Sequence, residues 1–332
     1  MQDPSSVLPF DIDDPALEAR ILAGVSEIER QLAEAADSDE PFVADAASHL
    51  LRAGGKRFRP LLVTLCAEFG DPAAPGVVPA AVVVELTHLA TLYHDDVMDE
   101  ADKRRGADSA NARWDNTLAI LVGDYLFAQA SDVVAGLGPE AVRIQARTFA
   151  RLVQGQIRET IGPGDADPLQ HYLDVVADKT GSLIATAARF GAMMAAAPMG
   201  VERALTEFGE RIGAAFQLAD DIIDVASETG DSGKTPGTDL REGVPTLPVL
   251  IALASDDPAD ARLRELLGKP LTDDAEHAEV LAALRAHPAM DAARAHVQAE
   301  ADAARALLAN LPDIPARAAL ELLCDAVVTR LG

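Results

Sequence analysis

Aromatic residues make up only 4% of this chain, so the core it builds is aliphatic. Basic residues are scarce as well: 28 Lys and Arg against 54 Asp and Glu leave a net charge of −26. That balance argues against a sequence-independent grip on nucleic acid or on an anionic membrane surface, and it makes any cluster of cations conspicuous. The two cysteines, Cys66 and Cys324, lie far apart in apolar helical contexts. They fit neither a disulfide framework nor a zinc site, and a reducing cytoplasm is the natural compartment. The first residues, Met1 to Ser6, lack a basic n-region and an apolar core. No run approaches about 18 uninterrupted apolar residues, so neither a signal peptide nor an integral membrane segment is expected. Sustained period-2 alternation, fixed-period repeats and a dividing linker are also missing, which argues against sheets and solenoids.

What remains is a chain of 332 residues, 49% hydrophobic and rich in Ala, Leu, Val, Glu and Asp. The expected fold is all-α: a loose N-terminal arm over residues 1–12, then one helical domain over 13–332. Asp14-Pro15 opens the first helix, since proline fits a first helical turn, and a short helix over 42–52 ends at Gly54-Gly55. Apolar helices are predicted over 61–69 and 77–100, then one from Leu118 that is apolar on nearly every face and belongs in a bundle centre. Further helices are predicted over 138–161, 167–195 and 200–226. The glycine-rich stretch 227–239 reads as a flexible lid, and 244–331 as peripheral helices.

Two stretches carry chemistry. In His94-Asp95-Asp96-Val97-Met98-Asp99, positions i and i+4 share a helix face, so Asp95 and Asp99 converge; Asp220-Asp221-Ile222-Ile223-Asp224 repeats the spacing. Both sit in apolar surroundings, unlike a solvated acidic face. Carboxylates so dense repel unless neutralised, and an oxygen-only donor set suits Mg²⁺ shared with substrate phosphates. Two such clusters facing each other would hold several divalent ions. The conspicuous cations are Lys56, Arg57 and Arg59 beside a glycine pair, Arg104 and Arg105, Lys179, and Lys234. Glycines let a backbone approach an anion, and Arg offers a forked donor set. His88 lies about two turns before Asp95 on its face.

In their order, Gly54-Gly55-Lys56-Arg57-Phe58-Arg59-Pro60, Glu85-Leu86-Thr87-His88, Asp95-Asp96-x-x-Asp99, Arg104-Arg105-Gly106, Gly123-Asp124-Tyr125-Leu126, Lys179-Thr180, Phe216-Gln217-x-x-Asp220-Asp221-x-x-Asp224 and Gly233-Lys234, these residues resemble the trans-isoprenyl diphosphate synthases. The resemblance covers about residues 50 to 250. It implies an isoprenoid-synthase helical bundle with a central active-site cavity, a homodimer, and condensation of isopentenyl diphosphate with an allylic diphosphate such as farnesyl or geranylgeranyl diphosphate. It also implies Mg²⁺, three ions with bound diphosphate. On the same footing Asp95, Asp96, Asp99, Asp220, Asp221 and Asp224 are the metal ligands. Arg104, Lys179, Thr180, Gln217 and Lys234 contact the allylic diphosphate; Lys56, Arg59, His88 and Arg105 seat isopentenyl diphosphate, with Arg57 as a helper. Asp95, Asp96, Asp99, Arg104, Lys179, Asp220 and Lys234 form the implied catalytic set.

In that family bulky aromatics four or five residues before the first aspartate stop the growing chain. Here those positions hold Thr91 and Ala90. Thr91 lies about 40° from Asp95 and Ala90 about 140° away. Small residues imply a medium-to-long all-trans polyprenyl product, of the sort used for quinone side chains. Val244 stands where the family commonly has lysine. Rival readings are a class I terpene cyclase, whose second metal motif normally includes Asn, Ser or Thr and Glu, and a catalytically silent subunit of a heteromeric synthase, which would be expected to lose motif carboxylates; none is missing.

Overall fold

A computed structural model describes residues 8–227 and 236–331. The chain forms helices α1 (Pro15–Ala35), α2 (Pro41–Ala47), α3 (His49–Arg52), α4 (Phe58–Ala67), α5 (Val77–Met98), α6 (Ala110–Arg113), α7 (Asn116–Ala135), α8 (Pro139–Ile161) and α9 (Pro168–Val176). There follow α10 (Ser182–Met194), α11 (Met199–Ala226), α12 (Thr238–Glu242), α13 (Leu247–Leu253), α14 (Ala261–Leu267), α15 (Asp274–Ala286), α16 (Pro288–Leu308) and α17 (Pro315–Thr329). Strands are confined, among the described residues, to one short hairpin, β1 (Lys103–Arg104) and β2 (Ala107–Asp108). The all-α expectation stands. The residues group into two compact units, each drawn from three stretches of chain.

The first unit comprises Met1–Ala150, Leu183–Gly209 and Leu307–Leu323. α1 begins where Asp14 caps it, its side chain accepting the Leu17 N–H at 2.7 Å. Leu17, Ile21, Val25, Ile28 and Leu32, at steps of three and four, then bury one face. α5 is the core helix, buried along nearly its whole length from Val77 to Asp96. α5 and α7 are both long and apolar enough to cross a membrane, but two-thirds of the α5 window is buried inside the protein. α5 packs most extensively on α7. Gly123 makes this close approach possible, because a Cβ there would lie 2.3 Å from His94 Nε2. A similar approach joins α10 to α4, where a Cβ on Gly191 would meet the Val63 carbonyl at 2.3 Å.

The hairpin was not expected from the sequence. Its register pairs Lys103 with Asp108 and Arg104 with Ala107. Arg105 and Gly106 between them have φ of 54° and 77°, the double left-handed conformation that a tight hairpin turn requires.

The second unit comprises Arg151–Ser182, Glu210–Ala306 and Cys324–Gly332. Here the long helix predicted over 167–195 divides: a π-helical turn, Ala177–Gly181, separates α9 from α10. Gly155 of α8 presses against this turn, since a Cβ there would lie 2.8 Å from the Lys179 backbone nitrogen. Arg151 donates to Asp178 Oδ1 at 2.5 Å and to Glu210, and Arg158 pairs with Asp178 Oδ2 at 2.5 Å. π turns inside helices concentrate at functional sites, and this one carries Lys179 and Thr180. The lid expected over 227–239 falls largely on 228–235, outside the described residues, as does Lys234.

Candidate active site

The first aspartate motif closes α5. Asp99 is the C-cap, its N–H bonding the Asp95 carbonyl at 2.8 Å, and Glu100 follows with φ of 50°. Asp96 is fully buried; its Oδ1 accepts from Arg104 Nε at 2.6 Å. Burial lifts the Asp96 pKa above the usual carboxylate range even though Arg104 opposes the shift. Its Oδ2 is buried with no hydrogen-bond partner among the described residues. Asp99 is more exposed and lies 4.0 Å from Arg104 Nη2.

Beside this motif the same unit gathers cations. The His88 ring is held well below the ordinary imidazole pKa, first by burial and then by Arg59, Arg105, Arg57 and Arg104. His88, Arg59 and Arg105, far apart in sequence, are thus brought together as expected, and His88 is neutral there. Lys56 is exposed at the mouth of the glycine turn. Arg105 donates through Nη1 to the carbonyls of Leu50 (3.1 Å) and Gly54. Arg57, expected as a helper, has a side chain 1% exposed and paired with Glu29 and with Glu85 at 3.2 Å.

The chain-length positions differ from each other. Thr91 is 9% exposed and its hydroxyl donates to the His88 carbonyl at 2.8 Å. Ala90 is fully buried on the face of α5 that bears His94, one turn on, which packs on Gly123 of α7.

In the second unit Asp220 pairs with Arg330, whose guanidinium also stacks 4.9 Å from the Phe216 ring centroid. Asp221 is held from two sides: Oδ2 accepts from the Tyr172 hydroxyl and Oδ1 from Gln217 Nε2 at 2.8 Å. These bonds orient the carboxylate and leave each oxygen a further lone pair, and burial pushes the carboxyl up to about 6 despite them. Gln217 Oε1 accepts from Thr180 at 3.0 Å, so Thr180, Gln217, Asp221 and Tyr172 form one chain of hydrogen bonds. Lys179 Nζ donates to Glu159 at 2.6 Å. The Asp224 carboxylate accepts the N–H groups of Thr238 and Asp239, each at 3.4 Å.

The donors present fit a divalent metal. Asp96 Oδ2 is a buried acceptor without a hydrogen-bond partner among the described residues, and the carboxylates of both motifs offer only hard oxygen ligands. Among the described residues no three His, Cys, Asp or Glu side chains converge on one point. Such a site leaves coordination positions for substrate oxygens and water, as Mg²⁺ sites commonly do. The sequence reading gave no role to Glu29, Glu85, Tyr172 or Arg330. Glu85 is the one with a visible signal, a carboxylate in the apolar run of α5 three residues before His88.

A family model described as polyprenyl synthetase matches residues 40–284. A nonaprenyl diphosphate synthase of Mycobacterium tuberculosis is 51% identical over 335 aligned positions, spanning all of both chains. Among solved structures, a geranylgeranyl pyrophosphate synthase of Corynebacterium glutamicum complexed with calcium and isoprenyl diphosphate matches with a TM-score of 0.88 at 50% identity, over 97% of this chain and 100% of that one. A decaprenyl diphosphate synthase from Rhodobacter capsulatus matches with a TM-score of 0.86 at 33% identity, over 96% and 99% of the two chains. The matched span holds both aspartate motifs and the arginines around His88, and the chain belongs to the polyprenyl synthetase family of prenyltransferases.

Proposed function

We propose that the chain joins isopentenyl diphosphate head-to-tail to an allylic diphosphate, farnesyl or geranylgeranyl diphosphate, giving an all-trans polyprenyl diphosphate of medium or long chain for a quinone side chain. The observation that carries this reading is the neutral His88 among Arg59, Arg105, Arg57 and Arg104, on the helix that carries Asp95 and Asp99. In a protein of net charge −26, such a cluster beside a carboxylate motif is built for an anion whose own counter-ions are metals.

The allylic C–O bond breaks and its electron pair leaves with the diphosphate. The double bond of isopentenyl diphosphate then supplies the pair for the new C–C bond, and a proton is lost to the released diphosphate. Mg²⁺, three ions with bound diphosphate, would supply positive charge where the leaving group gathers negative charge. Asp95, Asp99 and Asp220 would hold the metal, with Asp96 assisting and Asp221 and Asp224 nearby. Arg104, Lys179, Thr180, Gln217 and Lys234 orient the allylic diphosphate, and Lys56, Arg59, His88 and Arg105 hold the second substrate. Holding both substrates in line converts a bimolecular encounter into a unimolecular step.

Residues 13–332 serve as one functional domain in a cytoplasmic homodimer. The dimer is supported by α7, whose Ile120 and Leu121 stay 43% and 56% exposed within one chain. Small side chains at Ala90 and Thr91 support a long product. The test incubates the purified chain with Mg²⁺ and each diphosphate, alone and together. Diphosphate release should require both substrates, and mass spectrometry should find a product longer than fifteen carbons. Release from the allylic diphosphate alone, or a fifteen-carbon product alone, would overturn the reading.

A further inference from the structure

The arginines around His88 differ in what their donors do. Arg57 Nε donates to Glu29, Nη2 to Glu29 Oε2 at 3.4 Å and to the Leu51 carbonyl at 3.1 Å, and Nη1 to Glu85 Oε1 at 3.2 Å and the Gly54 carbonyl at 3.3 Å. A guanidinium has five N–H donors, and these contacts use them all. None is left for a diphosphate. Arg105, by contrast, spends only Nη1 on protein carbonyls among the described residues.

The backbone supports the same division. Arg57 is the N-cap of α4 with φ of 46° and ψ of 35°, a left-handed conformation unusual for a bulky side chain. It follows Gly54 and Gly55, with φ of 98° and 148°. A Cβ on Gly55 would lie 2.8 Å from Arg57 Nη1 and 2.9 Å from Arg105 Cζ, so two guanidiniums flank this one glycine. The Gly54 carbonyl accepts from both of them. Burial opposes the charge on Arg57, yet Glu85 and Glu29 outweigh it and hold its pKa above the ordinary value. On Arg105 burial wins, aided by Arg57 and Arg104, and its pKa falls. Arg57 is thus a compensated charge, and Arg105 one that an incoming anion would stabilise.

We propose that Arg57 is the positioning residue of the isopentenyl diphosphate seat: tied to Glu29 of α1 and Glu85 of α5, it fixes the Gly54–Gly55 turn and so aims Lys56, Arg59 and Arg105 at the ligand. This rests on the reading of that cluster as an anion seat. It makes two carboxylates that repel a diphosphate necessary for binding one.

That sign gives the test. Glu85→Gln removes a negative charge beside the seat. If Arg57 were a ligand, Coulomb attraction alone would leave anion binding unchanged or tighter. As a strut it loses its anchor, so KM for isopentenyl diphosphate should rise about tenfold or more while KM for the allylic diphosphate holds, since small misplacements of binding groups are costly. Glu29→Gln, at a carboxylate 24% exposed, should shift KM the same way with less risk to folding than at the buried Glu85. Arg57→Lys, which keeps the charge but cannot bridge both carboxylates, should match Glu85→Gln. A readout independent of turnover is calorimetry of inorganic pyrophosphate binding to the full chain without Mg²⁺. Weaker binding in Glu29→Gln and Glu85→Gln supports the strut even if wild type fails to use isopentenyl diphosphate, which would fault the substrate assignment instead. Equal or tighter binding in both variants overturns the strut.

Discussion

Protonating His88 would add a further cation to Arg57, Arg59, Arg104 and Arg105 in a partly buried place, and the protein resists it. Below the ordinary imidazole pKa of about 6.5 the unfolded chain takes up a proton that the folded one refuses. The folded pKa being depressed, stability from this group is complete above that value and is lost as pH falls, by at most about 1.4 kcal/mol per pH unit. His88→Gln should therefore flatten the acid side of the stability profile, checked by denaturant melts of both proteins from about pH 7 to pH 5; parallel profiles would contradict it. If Asp95 holds metal as proposed, Asp95→Ala should cut turnover by orders of magnitude with the helical circular dichroism unchanged, because less positive charge would then face the leaving diphosphate. Arg330 already holds a cation on Asp220. Arg330→Met should lower the Mg²⁺ concentration for half-maximal activity, read by titrating the metal. The paired aspartates and the arginines were legible as residue types at helical spacing. What Arg57 does was not, because its acceptors, Glu29 and Glu85, lie 28 residues away on either side. The hydrogen bond that orients Asp221 was hidden likewise, its donor Tyr172 being 49 residues distant.

At the scale of elements, helices with strong apolar periodicity were readable and local departures were not. α1 and α5 follow from spacing alone. The π turn at 177–181 does not, since nothing in Ala-Asp-Lys-Thr-Gly breaks a helical pattern before its final glycine. The turn is held from outside, by Gly155 against the Lys179 backbone and by Arg151 on Asp178 and Glu210. Gly155→Ala should press a methyl into that backbone, costing about 1–3 kcal/mol and lowering turnover more than a stability loss of that size explains. Thermal melts and steady-state kinetics on one preparation would separate the two effects. The hairpin at 103–108 escaped notice for a related reason. It exists because Arg105 accepts a left-handed backbone usually left to glycine or asparagine, and the Nη1 bonds of that same residue to Leu50 and Gly54 accompany it.

For the molecule as a whole, composition was enough to give the helical class, and ordered motifs across some 200 residues gave the family. Composition did not foretell that each compact unit is drawn from three separate stretches. The unit that carries His88, the arginines and the first aspartate motif includes Leu307–Leu323. On a ribosome adding about 5–20 residues per second, those residues follow Ala150 by on the order of ten seconds. Through that interval the nascent chain has made α5 and α7 but lacks the segment that completes their unit. Until then the unit that holds two helices long and apolar enough to cross a membrane is incomplete. Synthesis of this protein should lean on a chaperone that shields early helices, and ribosome-bound chains stalled before residue 307 should be cut by protease far faster than chains stalled with residue 323 already outside the exit tunnel.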